Sequence, residues 1–151
     1  METERITTEI QAILEKMGFL QDLETIEVHQ GVASRFEVRI HGEARMLIGE
    51  QGNNLAAFEH ILKKIVKKKH NDEVKFTLDI NDYRMRRLEY LKQEVKTAAK
   101  DVRLYRKDVP MRTMTAFERR IVHLLLEEYP DITTQSMGLD PDRRVVIKPY
   151  P

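Results

Sequence analysis

Apolar residues recur along this chain at two intervals, and each change of interval marks a change of element. Ile6, Ile10, Ile13, Leu14 and Met17 share one face at helical spacing, and Gly18 ends that helix. The interval then drops to two. Ile26 and Val28 alternate with Glu27 and His29; beyond a turn at Gly31, Phe36, Val38 and Ile40 alternate with Arg35, Glu37 and Arg39. A short helix over 43–48 leads into Gly49-Glu50-Gln51-Gly52. The longer helix that follows carries Leu55, Phe58, Ile61, Leu62, Ile65 and Val66 as its apolar stripe, with Asn53 as its expected cap. A third strand sets Val74, Phe76, Leu78 and Ile80 against Lys75, Thr77 and Asp79. The order α-β-β-α-α-β predicts an α+β unit over residues 1–80, its helices laid on one face of a three-stranded sheet.

Residues 81–151 form a second predicted unit, joined without a Gly- or Pro-rich linker. Asn81-Asp82 can cap a long helix bearing Leu88, Leu91, Val95, Ala98 and Val102, with Arg84, Arg86, Arg87, Lys92 and Lys96 expected outside. Residues 102–106 are strand-compatible and end in a turn at Pro110. Thr115-Ala116-Phe117-Glu118 reads as a capping box, so a helix starts at Ala116 and runs to about Glu127. Phe117, Ile121, Val122, Leu124 and Leu125 fall in one arc of it, and Arg119, Arg120, His123 and Glu127 in another. Two strands, 132–136 and 144–147, then flank a turn with Gly138 and Pro141.

Composition adds limits. A chain of 151 residues with 41% hydrophobic and 34% charged content can bury a real core and stay polar outside. It has no cysteine, which excludes disulfides and thiolate chemistry. No apolar run suits a membrane span, and Met1-Glu2-Thr3-Glu4 lacks the basic start of a signal peptide, so a cytoplasmic location is expected. The net charge of +1 hides an asymmetry. Residues 1–60 hold 5 Lys/Arg against 11 Asp/Glu, residues 61–120 hold 18 against 9, and residues 121–151 hold 3 against 5. A polyanion would meet a basic middle. The run Lys63, Lys64, Lys67, Lys68 and Lys69 is equally that of a solvated helix end, where the dipole favours cations without any ligand.

The candidate chemistry is anion binding. Glycines at both ends of 49–52 allow close backbone approach, and the helix behind them presents free N–H groups and partial positive charge. That spacing alone also suits a plain helix-turn-helix. Arg119 and His123, four apart, lie side by side on a helix; the guanidinium can bridge two phosphate oxygens, and the imidazole adds a donor whose charge responds to pH. Arg-x-x-x-His alone is equally common on exposed helix faces.

Together the motifs carry a resemblance. Helix, strand, strand, short helix, Ile48-Gly49-x-x-Gly52, long helix and strand resemble a type II KH domain. Thr115-Ala-Phe-Glu-Arg119-Arg-Ile-Val-His123, followed by Ser136-x-Gly138-x-x-Pro141-x-Arg143-Arg144, is similar to the single-stranded nucleic-acid-binding domain named for its Arg-x-x-x-His signature. The pair in this order resembles the Jag, or SpoIIIJ-associated (KhpB-like), family of bacterial cytoplasmic proteins. The resemblance implies a non-catalytic RNA-binding protein acting in post-transcriptional regulation. Gly49, Glu50, Gln51 and Gly52 would grip phosphates, Ile48 and Leu55 would line a groove wall, and Arg45 would reach a phosphate. Arg119 and His123 would be the signature pair, with Arg120, Arg143 and Arg144 as further RNA contacts. It also implies a partner, either a small KH-only protein or a second copy of the chain. Glu50 departs from the basic or neutral residues usual in such a loop, which opens a second expectation: the first unit docks a protein, and only the second touches nucleic acid. Single-stranded DNA stays open as a ligand, because neither motif explains recognition of a 2′-hydroxyl. No nucleotide-binding, phosphate-loop or metalloprotease motif is present, and the histidines lack metal-ligand spacing. No catalytic residue, metal or cofactor is expected.

Overall fold

The computed structural model describes residues 2–71 and 73–151, which form an α+β chain with two three-stranded sheets. Two units are resolved, one ending at Arg84 and one from Met85 to Pro151, each around its own apolar core.

The first unit runs α1 (Glu2–Lys16), β1 (Leu23–His29), β2 (Ser34–Ile40), α2 (Arg45–Ile48), α3 (Asn53–His70) and β3 (Phe76–Ile80). Central β2 pairs antiparallel with β1 and parallel with β3. Ile6, Ile10 and Leu14 of α1 and Leu55, Phe58, Leu62 and Val66 of α3 pack with the even-numbered residues of β2 and β3. One sheet face therefore carries the core, and the Phe36 and Phe76 rings meet edge to face at 5.6 Å within it.

Three expectations for this unit change. Asn53 is the first helical residue of α3 rather than its cap, since the left-handed turn at Gly52 occupies that place. Ile61 lies outside, because Leu55, Phe58, Leu62 and Val66 already fill the arc facing the sheet. Glu37 and Asp79, assigned to the polar sheet face, are 0% and 3% exposed. Both accept backbone bonds from the turn leaving β3. The N–H of Asp82 donates to Glu37 Oε1 at 2.6 Å, and those of Ile80 and Arg84 donate to the Asp79 carboxylate. Asn81 and Asp82 both have positive φ, so this turn needs such anchors. Burial pushes both carboxyl groups above their ordinary pKa, and in Glu37 the neighbouring Asp79 and Asp82 charges add to that rise.

The chain enters the second unit within α4 (Tyr83–Tyr105), followed by β4 (Val109–Thr113), α5 (Ala116–Leu126), β5 (Ile132–Met137) and β6 (Arg144–Pro149). The sheet order is β4-β6-β5, all antiparallel, so β5 is an edge strand. Residues 102–105, expected as a strand, are the last turn of α4. Val102 extends the buried stripe of Leu91, Val95, Ala98 and Ala99, and packing overrides β-propensity there. The strand lies later and includes Pro110, which an edge strand such as β4 accepts. Arg87 and Lys92, expected outside, are half-buried.

The capping box forms as expected: the Glu118 N–H donates to Thr115 Oγ1, and the Thr115 N–H donates to the Glu118 carboxylate. The inward face of α5 is rotated from the predicted arc. Val122 and Leu126 are buried together with Glu118 and Arg119, while Phe117 and Leu124 are exposed. Among the described residues no helix is long and apolar enough to cross a membrane.

Candidate nucleic-acid interface

The loop of the first unit is built by its backbone. Gly49 has φ 73° and ψ 174°, Gln51 has φ 54°, and Gly52 has φ 77° and ψ 16°. The Gly49 N–H donates to the Arg45 carbonyl at 2.7 Å and the Gly52 N–H to the Gly49 carbonyl at 3.2 Å. Both glycines are also sterically required. A Cβ on Gly49 would come within 2.6 Å of the Asn54 side chain, and one on Gly52 within 2.8 Å of the Tyr83 ring. Asn54 in turn donates Nδ2 to the Met46 carbonyl at 2.7 Å, tying the short helix to the long one. Asn54 and Tyr83 thus hold the loop, and no local pattern in the sequence marks either of them.

The side chains around this loop are sparse. Glu50 is exposed, and Gln51 and Ile48 are half-buried. Arg45 reaches into solvent, with Glu43 at 3.8 Å. Leu55, expected on a groove wall, is fully buried in the core and cannot line an open groove. The lysines along α3 are partly neutralised: Lys63 pairs with Glu59, Lys67 with Glu73 and Lys69 with Glu9.

The second unit is built by side chains. Arg119, expected on an exposed face, is 8% exposed. Its Nη1 donates to the Met114 carbonyl at 2.7 Å and lies 3.4 Å from Asp140 Oδ1, so it ties the start of α5 to the loop before β6. His123 faces the edge strand. Its Nδ1 lies 2.6 Å from Thr134 Oγ1 and its Nε2 lies 3.0 Å from Ser136 Oγ, so both ring nitrogens are engaged by hydroxyls spaced two apart on β5. Burial, and secondarily the Arg119 charge, hold the imidazole below its ordinary pKa. At neutral pH it is an uncharged, oriented ring, and the two signature residues do not form a paired exposed grip.

What opens to solvent lies beside them. Arg120, His123, Leu124, Thr133 and Thr134 border a shallow cavity of about 380 Å³ between α5 and β5. Arg120 is exposed. Arg144 opens β6 opposite Met137, half-buried, whereas Arg143 precedes the strand, its Nε buried without a hydrogen-bond partner among the described residues.

In the first turn of α5 sits a residue that the sequence marks only as a cap. Glu118, 6% exposed, accepts from Arg87 Nε at 2.6 Å and has Arg112 Nη1 at 3.6 Å; Arg112 also binds Glu94 at 3.0 Å. Burial raises the Glu118 carboxyl, but the two guanidinium groups outweigh it and hold the pKa below its ordinary value. Among the described residues no cluster of three or more His, Asp or Glu could hold a metal.

Comparison with known proteins bears on both units. Residues 87–149 match the family of domains abbreviated R-three-H, for Arg-x-x-x-His. The chain is 28% identical over 139 residues to the RNA-binding protein KhpB of Clostridium symbiosum, a match covering 91% of this chain and 62% of that protein. It is 34% identical over 119 residues to the RNA-binding protein KhpB of Bacillus subtilis (strain 168), covering 76% of this chain and 57% of the relative. For the protein of that name from Lactiplantibacillus plantarum the figures are 29% over 136 residues, 90% and 41%. The chain thus spans from about two-fifths to three-fifths of the length of these relatives. The second unit matches the Arg-x-x-x-His domain family, and the chain as a whole is similar to bacterial RNA-binding proteins of the KhpB type.

Proposed function

We propose that this chain is a non-catalytic, cytoplasmic RNA-binding protein of the Jag and KhpB type, comprising a type II KH domain over about residues 1–80 and an Arg-x-x-x-His domain over 81–151, which takes part in post-transcriptional regulation. Single-stranded RNA runs over the Gly49–Gly52 turn and over the α5–β5 face. The observation that carries the reading is the second of these: a half-buried imidazole fixed by Thr134 and Ser136 at the rim of a shallow cavity that also has an exposed guanidinium, Arg120. A neutral ring held in one plane suits stacking and hydrogen bonding to a base or sugar, and Arg120 suits the adjoining phosphate. Arg144 and Arg143, both half-buried, extend the phosphate track. Arg119 acts as a positioning residue through Met114 and Asp140. In the first unit Ile48, Gly49, Glu50, Gln51 and Gly52 supply the loop contact and Arg45 an exposed cation, without Leu55.

The test is a salt titration with a short unstructured oligonucleotide. Each phosphate contact removed lowers the log–log slope by about 0.7, so Arg120→Ala should show that drop with its melting temperature unchanged. An unchanged slope would remove Arg120 from the interface. His123→Ala should lower affinity several-fold at every salt concentration, and the comparison of RNA with DNA strands decides the sugar preference.

One observation favours a second reading for the first unit. Glu50 stands exposed in the loop, on the unit whose first 60 residues carry 11 acidic against 5 basic side chains. In that reading the KH-like unit docks a small KH-only protein or a second copy of the chain, and RNA is held by the second unit alone.

A further inference from the structure

α4 carries a basic surface that shares no residue with the cavity beside His123. Lys96, Lys100 and Arg103 recur at i, i+4 and i+7 on one helix face. With Ala99, Leu104 and Tyr129 they line a second cavity, of about 440 Å³. Lys96 and Lys100 are exposed and form no ion pair among the described residues, unlike Lys63, Lys67, Lys69 and Lys92, each of which has a carboxylate within 4 Å. Arg103 is held differently. Its Nε and Nη2 each donate to Asp131 at 2.8 Å, and its guanidinium carbon lies 4.7 Å from the centre of the Tyr129 ring. A bidentate carboxylate and a ring underneath fix the plane of this guanidinium, while its side chain stays 48% exposed.

We propose that this groove is an additional contact surface for single-stranded RNA, with Lys96 and Lys100 on successive phosphates and a base stacked on the outer face of Arg103. The proposal rests on the RNA-binding reading above and extends it to a surface outside both signature motifs. Lys96 and Lys100 are about 6 Å apart along the helix axis, the order of one nucleotide step in an extended strand. The state of Arg103 selects the ligand class. Asp131 already uses its charge, so an acidic protein segment gains little from it, whereas a base needs only a flat, fixed platform. Ala99 between the cations leaves room for the strand to lie close.

The experiment uses the full chain and a fluorescent oligouridylate of about 20 nucleotides, long enough to cover more than one subsite, titrated from about 50 to about 200 mM salt. The variant K96A/K100A changes only exposed side chains, and its melting temperature is the control for folding. The expected result is a log–log slope lowered by about 1.4, two contacts at about 0.7 each. Arg103→Lys keeps the charge and removes the plane, so affinity should fall about 5- to 10-fold with the slope unchanged. Binding with wild-type slope by K96A/K100A overturns this proposal and leaves the RNA-binding reading intact. No binding by the wild-type chain at any salt overturns both. Competition by poly-glutamate at the same charge concentration as RNA would assign the groove to an acidic protein instead.

Discussion

The Gly49–Gly52 turn and the Arg119/His123 helix are both short motifs aimed at a phosphate chain, yet they are built by opposite means. The turn is a backbone object. Its shape comes from three residues at positive φ, and its side chains contribute one exposed carboxylate and few contacts. The helix face is a side-chain object. Arg119 is buried on Met114 and Asp140, Glu118 is buried under Arg87 and Arg112, and His123 is pinned by two hydroxyls. A backbone site should tolerate changes of side chain and fail on loss of a glycine. A side-chain site should lose its shape when a buried partner is removed and keep it when an exposed cation is lost.

Four experiments can break or sharpen that contrast. The largest effect is expected from Glu118→Gln, which removes the buried carboxylate between two half-buried guanidinium groups, Arg87 at 2.6 Å and Arg112 at 3.6 Å, and leaves Arg112 with Glu94. The second unit should lose about 3 kcal/mol, read as a shifted denaturation midpoint. A shift under about 0.5 kcal/mol would mean that Glu118 adds little to what already holds Arg87 and Arg112. Next comes Gly49→Ala, which forces a Cβ into a backbone region open almost only to glycine and against Asn54. About 2 kcal/mol should be lost, this time from the first unit. Equal stability would show that the loop relaxes freely and is not pre-shaped.

Acidification should separate the units by sign. In the second unit the pKa values of His123 and Glu118 are depressed, so both contribute stability at neutral pH. The His123 share is lost as pH falls below about 6.5 towards its lowered value, and the Glu118 share as pH falls below about 4.5. In the first unit Glu37 and Asp79 are raised, so their contribution is present at low pH and is lost as pH rises through their folded values. Melting followed by amide resonances of β6 and β2 should therefore show the second unit weakening between pH 7 and 5 while the first does not. Parallel weakening of both would contradict these shifts. The smallest effect is that of Glu50→Lys. Stability should stay within about 0.5 kcal/mol, and RNA affinity should rise a few-fold if the loop meets phosphate. No change in affinity favours the docking reading of the first unit.

The glycine loop was legible because its requirement is local: a tight turn between two apolar helices needs residues that reach positive φ, and they are adjacent in the chain. The capping box was legible for the same reason. The side-chain site was legible only as a motif. His123 meets Thr134 and Ser136 across 11 and 13 positions, and Arg119 meets Asp140 across 21. Periodicity placed Arg119 outside because it counts apolar neighbours and gives no weight to a carbonyl and a carboxylate waiting within reach. Glu37 and Asp79 were misplaced likewise, since alternation along β2 and β3 says nothing of a turn whose amides need acceptors.

The chain's own letters determined the order of helices and strands, the two cores, the basic middle and the positions of both motifs. These follow from apolar spacing, capping and backbone freedom, which act over a few residues. Tertiary structure alone decided that Arg119 is a clamp and Arg120 the open cation, that His123 is pinned between two hydroxyls, and that Arg103 sits over the Tyr129 ring. Whether a charged side chain faces water or a buried partner depends on groups brought together by folding, and no local pattern records them.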